Sequence, residues 1–457
     1  MDQTEPEIKE LDLSEVEFAK MSVDACGRIF RWRGRIFRGI YADMVPEVLG
    51  LFSCGLVEAL VAEKLLPQTW VTQFQLAGYG LVLEHRKVDN ISYPFEWSFA
   101  MLREAAVTVL RVNLAARKFG YETKDCHPYN ICFDHATPLF VDLGSFIKVA
   151  DTNGWACYDE FLTSYLYPLR LWSKGNSYLA RRSLFSLSLT DAMTCENYLL
   201  YRYPPLRALH PDHLRRGVSL VLALKKRLAL NPFNLEKLLD KTAGIRIRSS
   251  GSAWGDYHDA YHDPNGEPLP SRRFVRIMEL IDSYQIRSVV ELGGNQGVFS
   301  ELLLKRSKVS KVVCTDCDEN AVDAMYENAK DKGLPLTAAL LDIMYPLMTY
   351  YEPPPYLRFC SDAVVVLAVV HHLVLGRKLP LELFFEIVSK YSARYVFIEF
   401  MPLGLWNGTV APPLPVWYTQ DWFRTEFEKF FKLRHVEELE ENRVLFVGEI
   451  GSNRDAE

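Results

Sequence analysis

"SVVELGGNQGVFSELLL", residues 288–304, decides the fold of this chain. An apolar, β-branched run leads into Gly293, Gly294 and Gly297, and an apolar-periodic segment follows. Glycines let a backbone turn sharply and pass close to a ligand, and a helix that starts there presents its first N–H groups. The stretch predicts strand, turn and helix, with Glu291, Gly293, Asn295 and Gly297 around a ligand. By itself such a loop is shared among several nucleotide-binding folds.

The segments that follow narrow the reading. Strands are expected at 288–293, 311–316, 337–342, 362–368 and 395–400, with helical text between most of them. Continuous Val/Ile/Leu strands alternating with helices predict a parallel sheet covered on both faces. "FKLRHVEEL" (431–439) and "RVLFVGEI" (443–450) then predict an antiparallel hairpin that closes the sheet. The second strand ends at Asp316, where a carboxylate can take both hydroxyls of a ribose. The third ends at Asp342, where a side chain can face an adenine amino group. Three acidic strand ends suit a neutral or cationic nucleoside better than a pyrophosphate.

This ordered series resembles the class I S-adenosylmethionine-dependent methyltransferases over roughly 274–450. The resemblance implies an α/β, Rossmann-like domain and S-adenosylmethionine as cofactor. Glu291, Gly293, Asn295 and Gly297 would surround the methionine part, Asp316 would hold the ribose, and Asp342 the adenine. Asn295 stands where many members carry glycine. Ligands of open α/β sheets bind at the carboxyl ends of the strands. His371 and His372 after the fourth strand, and Glu399 at the end of the fifth, are therefore the candidates to align an acceptor and take its proton. For the two histidines, capping of the next helix is the plainer alternative. In "SAWGDYHDAYH" (252–262), Tyr257 and His258 precede the sheet. The resemblance makes this segment a lid or acceptor wall; an aromatic cluster between domains is the other reading. His258 and His262 have metal-ligand spacing but no telling third partner, and Cys314-x-x-Cys317 crosses a strand end, so no metal site is expected.

The N-terminal half carries a second signal. In "TKDCHPYNICFDHATPLFVDLGSF" (123–146), Asp125-x4-Asn130 followed by Asp142-Leu-Gly has phosphotransferase spacing: a base, then Asn and Asp for magnesium. It is closest to the aminoglycoside-phosphotransferase-like branch, although Thr-Lys precedes Asp125 where that branch has His-Gly. A Gly-rich phosphate loop is missing, since Gly34 and Gly39 in "RWRGRIFRGI" (31–40) lack the expected flanking strands, and no Val-Ala-x-Lys strand is found. The expectation is a degenerate, kinase-like α+β domain, mostly helical after residue 95. Its helix would run from about Glu96 to Lys118, with Phe99, Leu102, Ala106 and Val109 on one face. A live phosphotransferase, giving a bifunctional enzyme, and a non-catalytic S-adenosylmethionine-binding regulator are the alternatives.

"SYPFEWSFAMLREAA" (92–106), "KDCHPYN" (124–130), "FVDLGSF" (140–146), "AWGDYH" (253–258) and "LAVVHHL" (367–373) together resemble a family of large bacterial methyltransferases. That family includes the NoeA-type host-specific nodulation proteins, and the likeness runs over about 25–450. It implies methyl transfer in the making or modification of a signal molecule, with no defined acceptor.

Bulk properties agree. At 457 residues two or three domains are expected. They divide as a polar leader (1–20), the kinase-like domain (21–240), a connector (241–273), the cofactor-binding domain (274–450) and a tail (451–457). A hydrophobic fraction of 49% and a charged fraction of 24% build full cores rather than a disordered chain. Net charge is −6 without a long basic run, which gives no sign of a nucleic-acid partner. No apolar run reaches the ~20 residues of a membrane span. The leader lacks a signal-peptide core, and nine cysteines without framework spacing suit a reducing, cytoplasmic setting. The expected partner is an unidentified methyl acceptor, a small molecule or one bound to a carrier.

Overall fold

The computed structural model describes residues 9–20, 24–185, 233–247, 267–349, 352–406, 409–410 and 412–451, with isolated helical positions at 200, 202, 213 and 217. Tyr257 and His258 lie outside the described residues, as does nearly all of the basic segment at 214–230.

The C-terminal sheet has seven strands: Ser288–Leu292, Lys311–Asp316, Leu336–Leu340, Ser361–Val366, Ser392–Phe400, Lys432–Glu440 and Arg443–Glu449. Their lateral order is third, second, first, fourth, fifth, seventh, sixth. The first five are parallel; the seventh runs antiparallel to both the fifth and the sixth. Successive strand residues point to opposite faces, and the core divides accordingly. Val289, Val312 and Phe397 pack with Phe274, Phe299 and Met325, from helices Arg272–Ser283, Val298–Arg306 and Glu319–Lys332. Val290, Val313 and Val396 pack with Phe384, Phe385, Phe423 and Phe427, from helices Leu381–Ser389 and Gln420–Glu428. The third strand stops at Leu340, so Asp342 sits in the turn beyond it.

The N-terminal sheet is antiparallel, in the lateral order Glu17–Phe18, Gly27–Trp32, Arg35–Ile40, Leu81–His85, Thr69–Val71. The expectation that Gly34 lacks flanking strands is corrected here. Residues 27–40 are a hairpin whose tip holds Arg33 and Gly34 at φ 49° and 74°, the positive-φ pair that suits a two-residue turn. Arginines three apart within each strand, Arg28 and Arg31 and then Arg35 and Arg38, break the two-residue alternation of a strand. Helix Phe99–Arg117 follows and is buried on most of its surface. Strand Tyr121–Thr123 then pairs antiparallel with Phe146–Lys148, and the hairpin Ile131–Asp134/Thr137–Phe140 lies between them in sequence. This pairing brings the 125–130 loop beside the turn at 142–145. Asp125 N donates to Ser145 Oγ at 3.1 Å, and that hydroxyl donates to Asp125 O at 2.7 Å. From below, Glu160 accepts from Cys126 N at 2.6 Å, and Cys157 Sγ donates to Thr123 O at 2.8 Å.

One apolar core runs from the N-terminal helices into the C-terminal sheet. Across this junction Tyr326 Oη donates to Ala136 O at 3.1 Å, and Asp323 accepts from Ala100 N at 2.6 Å, at the start of helix Phe99–Arg117. Arg358 and Glu96 form a buried ion pair, with Nη1 3.0 Å from Oε2. Among the described residues no single helix is long and apolar enough to cross a membrane.

Candidate cofactor and methyl-transfer site

The first strand of the C-terminal sheet ends at Leu292, and the chain then turns through Gly293, Asn295 and Gly297 at φ 76°, 51° and 76°. Space as well as backbone angle demands the glycines. A Cβ on Gly293 would lie 2.6 Å from Val369 Cγ2, and one on Gly294 would lie 2.3 Å from Cys314 Sγ. Gly293 N and Gly294 N both donate to Thr315 O, at 2.8 and 3.0 Å, which ties the turn to the second strand.

Asp316 completes that tie. Its Oδ2 accepts from Asn295 N at 2.8 Å, and its Oδ1 from Asp318 N at 2.9 Å. Burial raises its pKa, against the lowering by these amide bonds. Asp318 caps the next helix, accepting from Asn320 N at 2.8 Å. Gly293, Asn295, Gly297 and Asp316 thus converge at one strand junction.

Glu291 and Asp342 take different places. Glu291 is 3% exposed and lies beneath the turn, accepting from Ser300 Oγ and from Cys314 Sγ at 3.6 Å. Burial pushes its pKa up to about 7. It supports the turn from inside instead of lining its open side. Asp342 accepts from Met344 N at 3.0 Å and Tyr345 N at 3.2 Å, and pairs with Arg377 at 2.9 Å. Sequence reasoning missed Arg377, which lies thirty-five positions away with no motif to join the two.

The fourth strand stops at Val366, and Ala368 turns the chain at φ 56°. His371 is buried, and its Nδ1 has no hydrogen-bond partner. Burial, with His372 and Arg443 nearby, pushes its pKa down to about 3, so the ring is neutral at physiological pH. The His372 ring lies 4.0 Å away, centroid to centroid, and burial lowers its pKa too.

Glu399 departs from its expected role as proton acceptor. It is fully buried, with Arg273 Nη1 at 3.2 Å and Arg443 Nη1 at 3.1 Å from Oε2. A carboxylate between two guanidiniums is spent on positioning them. Arg273 lies in the first turn of the helix before the first strand, and Arg443 opens the seventh strand. The antiparallel seventh strand is what sets Arg443 against the end of the fifth, and linear sequence does not show that.

The strand order and the glycine–Asp316 junction define an α/β domain built on a seven-stranded, mostly parallel sheet. Over 406 residues, 83% of each sequence, the chain is 26% identical to "Nodulation protein NoeA" of Rhizobium meliloti (strain 1021). No family model matches. Among solved structures it is similar to a SAM-dependent methyltransferase from Aquifex aeolicus, with 16% identity, 38% of this chain and 88% of that chain covered, and a TM-score of 0.30. An S-adenosylmethionine-dependent methyltransferase from Clostridium acetobutylicum ATCC 824 shows 10% identity, coverage of 44% and 96%, and a TM-score of 0.32.

Proposed function

We propose that the chain is an S-adenosylmethionine-dependent methyltransferase. The observation that carries this reading is the junction at which Asp316 holds the Gly293–Gly297 turn through Asn295 N. The residues fit the cofactor. Gly293 and Gly297 leave the turn without side chains, and a Cβ at either would meet Val369 or Met325 within 3 Å. Asp316, at the end of the second strand, would take the ribose hydroxyls. The turn would lie along the methionine part, and the Asp342–Tyr345 loop would border the adenine. The bound cofactor supplies an electrophilic methyl group; the protein aligns the acceptor and receives its proton.

For that edge the reading favours His371. Its ring is neutral and lies just beyond the end of the fourth strand, whereas Glu399 is held by two arginines. Tyr257 and His258 remain proposed wall residues. The likeness to a nodulation protein supports an acceptor that is a signal molecule or its precursor, free or bound to a carrier. The kinase-like character of the N-terminal domain is likewise part of this proposal, supported by the strand pairing around the 125–130 loop.

Calorimetric titration with S-adenosylmethionine tests the reading. Micromolar binding that is lost in Asp316→Ala, followed by labelled-methyl transfer to a fraction of cell extract, supports it. Cofactor binding without transfer to any fraction points to a sensor, and no binding at all refutes it.

A further inference from the structure

The acidic residues of the 123–146 stretch take no part in the C-terminal site, yet they are not idle. Arg38 stands on the third strand of the N-terminal sheet and is 5% exposed. Its Nη1 lies 3.0 Å from Asp142 Oδ1 and 3.0 Å from Asp24 Oδ2. Asp142 also caps the turn Leu143–Ser145, accepting from Gly144 N at 3.1 Å. Asp24 comes from the connection between the first two strands and accepts from Cys26 N at 2.8 Å. That connection is folded down onto the Asp142 turn, since a Cβ on Gly144 would lie 2.8 Å from both Asp24 Oδ1 and Cys26 Cβ. One guanidinium therefore ties the Asp24 connection and its own strand to the Asp142 turn, 104 residues further along the chain.

Two partly buried carboxylates this close need a cation between them. In the arrangement that the 125–142 spacing resembles, the cation is magnesium, held by the Asp after the hairpin and the Asn of the loop, and it bridges phosphate oxygens. Here the cation is covalently part of the chain, and arginine does not deprotonate in proteins. A metal ion at Asp142 would have to displace a buried guanidinium that already has two carboxylate partners. Asp24 and Cys26 also close in on the backbone of Gly144, two residues beyond Asp142.

We propose that Arg38 is the built-in cation of this cleft, so that the N-terminal domain takes up no metal–nucleotide and serves instead as a fixed platform for the C-terminal domain. The platform role agrees with the junction between them, where Asp323, Glu327, Lys330 and Arg358 pair with Ala100 N, Arg103, Glu104 and Glu96. The inference does not rest on the methyltransferase reading.

The test uses the full chain, with Mg–ATP titrated by calorimetry and Mn²⁺ binding followed by electron paramagnetic resonance. Wild type is expected to show no saturable Mg–ATP binding at millimolar concentration. Arg38→Met, which leaves Asp24 and Asp142 without their cation, is expected to bind Mn²⁺ at least about tenfold more tightly than wild type, because two bare carboxylates attract a divalent ion. Adding Asp142→Asn should abolish the gain. Saturable Mg–ATP binding by wild type that is lost in Asp142→Asn overturns the proposal, and that measurement stands even if Arg38→Met does not fold. A folded Arg38→Met with no gain in Mn²⁺ affinity also overturns it. S-adenosylmethionine titrations of the same samples report separately on the C-terminal site.

Discussion

Replacing Arg358 by alanine should uncouple the two halves of the molecule. Arg358 and Glu96 are buried, with side chains 7% and 3% exposed, and they join residues on opposite sides of the domain junction. Glu96 also accepts from Tyr93 N at 2.8 Å, so it cannot swing out to water without undoing its own turn. Burial raises its pKa, and Arg358 is the main opposing influence. Removing the guanidinium strands a carboxylate in the core, which typically costs about 3–5 kcal/mol. The sign with pH follows. Without Arg358 the folded-state pKa of Glu96 rises further above its unfolded value, so the folded state gains protons relative to the unfolded one. The penalty is then fully present only above the raised folded-state pKa and fades as acid protonates Glu96. Urea unfolding of wild type and Arg358→Ala at pH 8 and pH 5, followed by fluorescence and circular dichroism together, measures it. The expected result is a loss of about 3 kcal/mol or more at pH 8, a smaller loss at pH 5, and separation of the two probes. A loss below about 1 kcal/mol at pH 8, or one that grows on acidification, refutes the reasoning.

Four further outcomes are expected. Gly294→Ala should fold poorly or lose cofactor affinity, because its Cβ would lie 2.3 Å from Cys314 Sγ, and adding Cys314→Ala should restore part of the loss in a thermal melt. Glu291→Gln should remove a pH dependence: a carboxyl held up to about 7 makes wild type lose stability relative to the variant as pH rises from the ordinary carboxylate range through 7, by up to about 3 kcal/mol, read from urea melts at pH 5 and pH 8. Asp316→Asn keeps one acceptor oxygen and turns an amide NH2 toward Asn295 N or Asp318 N, so S-adenosylmethionine should bind roughly ten- to a hundredfold more weakly, the scale of one charge-assisted hydrogen bond, and the melting temperature should fall as well. His371→Ala should slow methyl transfer while leaving the cofactor dissociation constant within about twofold, whereas Glu399→Gln, which frees two buried arginines, should lower the melting temperature as well.

Much of the C-terminal domain was legible because its elements are strongly patterned. Strand Lys311–Asp316 begins and ends where the sequence placed it, since an unbroken apolar run bounded by polar residues leaves little freedom. Gly293, Asn295, Gly297 and Asp316 were found because local backbone geometry and the strand end bring them together within thirty residues. The N-terminal sheet was harder to see. In "RIFRWRGRIFRGI" (28–40) the arginines stand three apart within each strand and so fall on both faces, and only pairing with Leu81–His85 fixes which face is core.

By itself, then, the sequence determined a glycine turn between a buried strand and a helix, an acidic end to the second strand, and parallel strands alternating with helices. Each of these depends on contacts within a few residues or on a repeating pattern. Tertiary structure alone decided what the charged groups do. It gave Glu399 to Arg273 and Arg443, Asp342 to Arg377, Asp142 to Arg38, and Glu96 to Arg358. A buried charge must find its partner wherever the packed chain brings one, and sequence separation sets no limit on that distance.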